Sequence, residues 1–460
     1  MVKSQELEQL KKAEKISIKE GSFAGIMDGF GSRYITPYAL ALGASNFIIA
    51  LISTLPNLIG NLTQLHILTL MKKKSRKKIV FRTVLTQALL WIPIILVGIL
   101  YFLKEESRPF IPFFLLVAYS LMVIAGTSCS PAWNSWMKDI ILSGNGKYFG
   151  KRNRIVNIVA IVSMLIAGLI LTFFTKEKVL IGFFIIFSIA FLGRIISAYF
   201  LTRQYEPSFS LVPSAYFSLK SFIKKIPNSN FGKFVIFVSA ITLATAVAGP
   251  FFVVYMLKDL GLTYFQFTLV TISSVITTIL SLPSWGKFAD KFGNLKVLKV
   301  NGLLISLIPF MWVFTLFIKD LGIFPLLSFL ILLEFFSGFV WAGFNLSAGM
   351  FIYDAVTREK MAFCVAYFNI INSFGTFIGA LIGGFLSSFH ISPLGFNSLV
   401  FLFIISGALR LLFTLFLRGS IKEVRTVPDF SVKKYIRQKI KNSGIVMWRY
   451  IGFKPIRIEN

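Results

Sequence analysis

Cysteine and histidine are nearly missing. The two cysteines, Cys129 and Cys364, fall at or near apolar runs, and the two histidines, His66 and His390, form no ligand spacing with them. A disulfide framework and a zinc site are both poor readings of so thin a set. Acidic residues are scarce as well: 19 Asp and Glu stand against 48 Lys and Arg, a formal net charge of +29. In a soluble chain that excess would suggest nucleic acid, but here the basic residues gather in short loops between apolar runs, where they report orientation in a bilayer. No nucleic-acid partner is expected. The stretch SGNGKYFGK around Gly146 lacks phosphate-loop spacing, because Lys147 is followed by tyrosine. Nucleotide-driven pumping is therefore unsupported, and no cofactor or metal is expected. The opening MVKSQELEQLKKAEKISIKE holds no apolar run before a small-residue cleavage site, so no removable signal peptide is expected.

What the chain has in quantity is apolar length. Of 460 residues, 56% are hydrophobic, and the mean hydropathy is +0.76. A helix needs roughly 20 residues to cross a hydrocarbon core of about 30 Å, and that ruler gives about twelve spans. Six lie near 20–42, 47–70, 80–103, 110–135, 153–174 and 179–202, and six near 232–257, 263–283, 297–318, 323–350, 361–388 and 396–418. Alternate loops differ in charge. MKKKSRKKIVFR, KDIILSGNGKYFGKRNR, the stretch 203–233, GKFADKFGNLKVLK and the tail after Arg418 are strongly basic, whereas GASN, KEESRP, TKEK, KDLGLT, KD and SFHISPLG are short and near neutral. Basic loops stay on the cytoplasmic side, so the expectation is a multi-pass cell-membrane protein with both termini inside.

The expected divisions are a cytoplasmic N-terminal segment 1–19, a six-helix bundle 20–203, a cytoplasmic linker 204–231, a second six-helix bundle 232–418 and a basic tail 419–460. The two halves resemble each other. Leu42-Gly43-Ala44-Ser45-Asn46-Phe47 follows the first span as Leu260-Gly261-Leu262-Thr263-Tyr264-Phe265 follows the seventh. One offset carries Asp139 onto Asp354, Asn157 onto Asn372 and Gly168 onto Gly383, and Arg194 falls near Arg410. A duplicated six-span unit is typical of secondary transporters.

The loop WGKFADKFGNLKVL, 285–298, lies between the eighth and ninth spans. It resembles the signature of the major facilitator superfamily through Gly286, Asp290, Lys291 and Gly293, and less closely Lys296. The resemblance implies that Asp290 bridges the cytoplasmic gate to neighbouring helix ends and holds the bundles together. At the loop between the second and third spans, where the family carries its stronger copy, Met71 stands at the aspartate position. PAWNSWMKDIILSGNGKYFGKRNRI, 131–155, resembles the fourth-to-fifth loop of one group of prokaryotic facilitators, with Asp139 and Arg152 among the matching residues. The likeness covers about 20–420 and implies an all-α membrane protein of twelve helices in two pseudo-symmetric bundles.

An ionisable group at mid-membrane costs about 2.5 to 3.5 kcal/mol on insertion scales, so each needs a partner or a wet cavity. Asp28 and Arg33 in the first span and Glu334 in the tenth sit at such depth. Glu334, Gly338, Trp341 and Asn345 form one helical stripe. The candidate substrate or ion site is therefore Asp28, Arg33, Glu334, Trp341 and Asn345, with a purely structural Glu334–Arg33 pair as the alternative. Asp28 and Arg33, five residues apart on an ideal helix, are not expected to share a face. Asn57, Asn61 and Gln64 of the second span, with Asn369, Asn372, Gly379 and Gly383 of the eleventh, are read as interface stripes between helices. Arg194 and Arg410 are read as snorkelling, and the tail from Phe430 to Trp448 as an interfacial helix on anionic lipid.

The expected function is secondary active transport of a small solute by alternating access, with proton coupling as one option and membrane lipids as surroundings. The alternatives are a membrane enzyme on lipid-linked substrates, disfavoured by short outer loops without an acid/base set, and a non-transporting scaffold or sensor. The charge alternation predicts that cysteines placed at Lys73, Lys147 and Lys291 are shielded from an impermeant thiol reagent in intact cells while one at Glu106 reacts. Labelling of Lys291→Cys from outside would overturn the topology.

Overall fold

The computed structural model describes residues 2–427 apart from 72, 104, 142–144, 176–177, 208–217, 358–359, 389–397 and 418. The tail helix expected from Phe430 to Trp448 lies outside the described residues. The fold is an all-α bundle, and eleven helical stretches among the described residues are long and apolar enough to cross a membrane.

The chain opens with α1 (Val2–Phe30), a 3-10 turn (Ser32–Tyr34) and α2 (Ile35–Ala41). Residues 2–19 are thus helical and run directly into the first span. Next come α3 (Asn46–Leu70), α4 (Arg76–Leu89), α5 (Trp91–Leu103), α6 (Ile111–Ser128), α7 (Ser130–Ile140), α8 (Asn145–Thr172) and α9 (Val179–Arg203). The short α10 (Leu219–Lys225) precedes α11 (Asn230–Ala248), α12 (Phe251–Val254), a π turn (Tyr255–Asp259), α13 (Tyr264–Phe292), α14 (Asn294–Val313) and α15 (Thr315–Ile318). The last three are α16 (Ile323–Ala355), α17 (Met361–Ser388) and α18 (Ser398–Leu417).

Several apolar runs are interrupted for a local reason. Pro93, Pro131 and Pro250 follow the breaks between α4 and α5, α6 and α7, and α11 and α12. Each removes a backbone donor and crowds the carbonyl four residues before it. At Gly31 the first span is pressed against the Trp91 ring, where a Cβ would clash.

Packing divides the helices into two groups. In the first, α1 lies on α8 and α9, α3 on α6, and α4 on α6 and α9. In the second, α13 lies on α16, α11 on α17 and α18, and α14 on α16 and α18. The groups meet chiefly through α3 on α17 and α8 on α13. Small residues permit close approach inside each group: Gly25 and Gly29 of α1 face α8, and Gly379 and Gly383 of α17 face the α11 backbone. Gly379 and Gly383 therefore seal their own group, and Gly384 is the one that meets Phe47 and Ala50 of α3. Part of the expected linker also belongs to the second group, since α10 packs Phe222 on Tyr367 at 5.4 Å between ring centres.

The first group is tied by buried charge. Glu20 accepts from Arg152 Nη2 at 3.0 Å and from the Ser197 hydroxyl at 3.0 Å, with Arg194 Nη1 at 3.8 Å. Arg194 Nε donates to Gln87 Oε1 at 2.8 Å, and Arg152 Nε reaches Ser17. The snorkelling expected of Arg194 does not occur, because a carboxylate and an amide inside the group answer its charge more directly than distant water. This cluster joins α1, α4, α8 and α9. Glu20→Gln strands two guanidiniums and is expected to cost about 3–5 kcal/mol, seen as a large fall in melting temperature. Adding Arg194→Gln should recover part of the loss; an unshifted melt of the single variant would remove Glu20 from this role.

Candidate functional site

A cavity of about 420 Å³ lies between the two groups. The first group contributes Ser32, Arg33 and Met164, and the second contributes Thr245, Phe252, Phe267, Trp312, Glu334, Ser337, Trp341 and Arg410 among others. Glu334, Ser337 and Trp341 share a face of α16 because they are three and four residues apart. That face is held by α13: Gly338 sits on the Ser274 backbone, the Thr278 hydroxyl donates to the Gly338 carbonyl at 3.1 Å, and the Ser274 hydroxyl lies beside the Glu334 carboxylate.

Arg33 does not pair with Glu334. Its Nε donates to Asp28 Oδ2 at 3.3 Å, both side chains remaining substantially exposed. The ideal-helix argument placed these residues on different faces, but the turn Ser32–Tyr34 after Gly31 rewinds the chain and brings them together. Asp28 therefore reaches the cavity through Arg33. Trp341 lines it, whereas Asn345 is exposed and does not.

Arg410, carried by α18, was not expected here. It is 1% exposed, so it does not snorkel. Its Nε donates to Ser406 Oγ at 3.1 Å and its Nη1 to the Ile305 carbonyl at 3.2 Å, while Nη2 has no partner. A signal existed in the repeat: the first helix carries Glu20 for Arg194, but the seventh span, 232–257, holds no acid for Arg410.

The basic-loop end is organised by carboxylates on helix starts. In the first group Arg76, the first residue of α4, reaches Asp139 at 2.5 Å and Glu206 at 3.8 Å, and the Lys77 amide donates to Glu206 at 3.2 Å. In the second, Asn294 begins α14 and donates to Asp354 at 2.7 Å, and the Leu295 amide donates to Glu423 at 2.7 Å. Arg425 completes that corner, at 2.8 Å from Asp354 and 3.5 Å from Asp290. The hydrogen bond to Asp354 raises the Arg425 pKa further. Each arrangement places negative charge on a positive helix end. Gly293 has φ of +92°, and a Cβ there would meet the Glu423 carboxylate.

The stripes divide between two tasks. Asn61 Nδ2 donates to Ser373 Oγ at 2.5 Å across the groups, and Gln64 donates to Asn61 at 3.1 Å. Asn372 instead accepts from Thr242 at 2.6 Å inside the second group, and the Asn369 carbonyl accepts from Ser373. Asn57 is exposed. Among the described residues no group of three or more His, Cys, Asp or Glu could hold a metal ion.

The profile of the Major Facilitator Superfamily matches residues 234–456, just under half of the chain. No curated protein matches the sequence. Among solved structures, a mutant of the nucleoside transporter NupG is similar at 13% identity and a TM-score of 0.66, covering 88% of this chain and 100% of its own. A bacterial homologue of the human lysosomal transporter Spinster, inward-facing and unoccupied, is similar at 14% identity and 0.63, covering 92% and 99%. A bacterial homologue of the iron transporter ferroportin, also inward-facing, is similar at 13% identity and 0.62, covering 90% and 98%. The chain is a multi-pass all-α membrane protein whose fold is similar to these transporters and whose second half resembles the Major Facilitator Superfamily.

The loop 285–298 makes its contacts within the second group. Asp290 pairs with Arg425 of its own group rather than bridging to the other, and is 73% exposed. Lys291 lies over the Phe292 ring at 5.2 Å, and Gly286 has only Leu346 near its Cβ position. In the first half, Met71 is buried among apolar side chains and Arg76 carries the electrostatic contact. Arg152 serves Glu20 and stacks on Trp133 at 4.7 Å. Asp290→Asn is expected to change stability by less than about 1 kcal/mol, since an exposed pair contributes little. Asp354→Asn, which weakens contacts to both Asn294 and Arg425, is expected to cost about 1–3 kcal/mol. Thermal melts compare the two, and a larger loss at Asp290 would reverse the assignment.

Proposed function

We propose that this chain moves a small solute by alternating access between two six-helix bundles, 20–203 and 232–418, with α1 and α2 together forming the first of twelve spans. The observation that carries this reading is the cavity shared by both groups and bearing Arg33, Glu334 and Arg410. A scaffold has no need for ionisable side chains around a central space, because charge at that depth has to be justified by a partner or a task.

Contacts across the groups favour one end. The Tyr34 hydroxyl meets Thr268 Oγ1 at 2.6 Å, the Phe183 and Tyr264 rings lie 5.6 Å apart, and Gly384 rests on Phe47. All are near the neutral loops, and Asn61–Ser373 lies nearer mid-depth. With the basic loops and both termini assigned to the cytoplasm, this seal supports an inward-facing state. Glu334 has no basic partner among the described residues, which makes it the carboxylate best suited to exchange a proton during the cycle.

The test uses paired spin labels in lipid nanodiscs. A pair at Lys73 and Lys287 reports the basic end, and a pair at Ser45 and Lys258 the neutral end. Alternating access predicts two populations whose distances are reciprocal, wide at one end and narrow at the other. Glu334→Gln, as a neutral mimic of the protonated acid, should shift their ratio in the direction that acidic buffer does. Single unvarying distances at both ends in every condition would overturn the reading.

A further inference from the structure

We infer that the central cavity takes a small zwitterion with an apolar body, its anionic group on Arg410 and its cationic group on Glu334. The inference rests on the transport reading above and adds a substrate class to it.

Three charged groups line the cavity, and one is already answered, since Arg33 is held by Asp28. The other two are not. Arg410 meets only neutral acceptors, Ser406 Oγ and the Ile305 carbonyl, and keeps Nη2 without a partner. Glu334 has the Ser274 hydroxyl beside it and no basic partner among the described residues. The two face one space and form no ion pair with each other. Arg410 is 1% exposed and lines the cavity with its charge met only by neutral acceptors, so an anionic group brought to that wall is what answers it.

Charge balance then selects the ligand. An anion placed on Arg410 would leave Glu334 repelling it across a low-dielectric space. A cation on Glu334 would leave Arg410 unanswered and add repulsion. A neutral solute answers neither. A zwitterion gives both protein charges a partner and leaves the net charge of the cavity unchanged, which makes the loaded state the least costly to bury.

The walls fit the rest of such a molecule. Trp312, whose buried Nε1 has no partner, is part of the same lining. Trp341, two helical turns from Glu334 on the same face of α16, adds aromatic surface to the wall. Phe252 and Phe267 supply apolar surface. The volume of about 420 Å³ is that of a site for small molecules.

The experiment measures thermal stabilisation and calorimetric binding by the full chain, using sets matched in shape. L-Leucine is compared with 4-methylpentanoate and isopentylamine, L-phenylalanine with 3-phenylpropionate and phenethylamine, and glycyl dipeptides extend the charge separation. At least one zwitterion is expected to bind about tenfold or more tighter than either single-charge relative. Glu334→Gln should transfer preference to the amine-free acid of that set. Arg410→Lys, which keeps the buried charge that Arg410→Gln removes, should retain zwitterion preference with weaker binding. Equal or weaker binding of every zwitterion relative to its single-charge analogues, or unchanged selectivity in Glu334→Gln, overturns the inference. If the spin-label distances alternate while no zwitterion is preferred, the substrate class fails and the transport reading stands; if they do not alternate, the transport reading itself has failed.

Discussion

A guanidinium or carboxylate packed away from water has nothing to hydrate it, and so it dictates what must pack beside it. Glu20 shows how much architecture one such group can organise. Its two oxygens take Arg152 from α8 and Ser197 and Arg194 from α9, and Arg194 in turn fixes Gln87 of α4. Four helices are joined by charge before any apolar contact is counted. The small residues of α1 follow from this, since Gly25 and Gly29 let α8 come close enough for Arg152 to reach.

The same constraint acts at the membrane's edge in a milder form. Helix starts leave backbone donors unused, and in each group a carboxylate from beyond the last helix covers the start of the third. Glu206 takes the Lys77 amide, and Glu423 takes the Leu295 amide. The positive charge of each corner sits differently, on Arg76 within the helix in one group and on Arg425 after the last helix in the other. An arrangement that survives exchange of its parts depends on the charge pattern more than on particular residues. It also explains how the first half manages with Met71 where the signature would carry an acid.

Much of the fold was legible because length and apolarity are one-dimensional properties. Span positions, the alternation of loop charge and the repeat all come from counting along the chain. The misreadings share a different origin. Asp28 and Arg33 were separated by assuming an unbroken helix, which Gly31 and Trp91 prevent. Arg194 reads as snorkelling by its distance from the helix end, because its acid, Glu20, stands on another helix far away in the chain. Arg410 was judged by distance from the helix end, although burial is decided by neighbours from α11 and α14. Each error concerns a contact between segments widely spaced in sequence or a local departure from ideal geometry, neither of which periodicity encodes.

The two groups consequently differ in what they leave available. In the first, the buried arginine of the sixth span has its acid, and the cluster is complete without a ligand. In the second, the corresponding arginine has lost that acid, and the nearest carboxylate on the cavity, Glu334, stands on α16 rather than on the helix that would complete the match. The consequence is directional. A complete cluster resists rearrangement, because breaking it strands buried charge, so in the proposed cycle the first group would move as a rigid unit. An incomplete one is stabilised by whatever completes it, so under the proposed zwitterion binding the binding energy would be concentrated in the second group, facing Arg33 and Asp28 across the cavity. A ligand held there changes the charge balance at the boundary between groups, which is where two ways of packing the same helices can differ by little free energy and where a bound solute can bias one against the other.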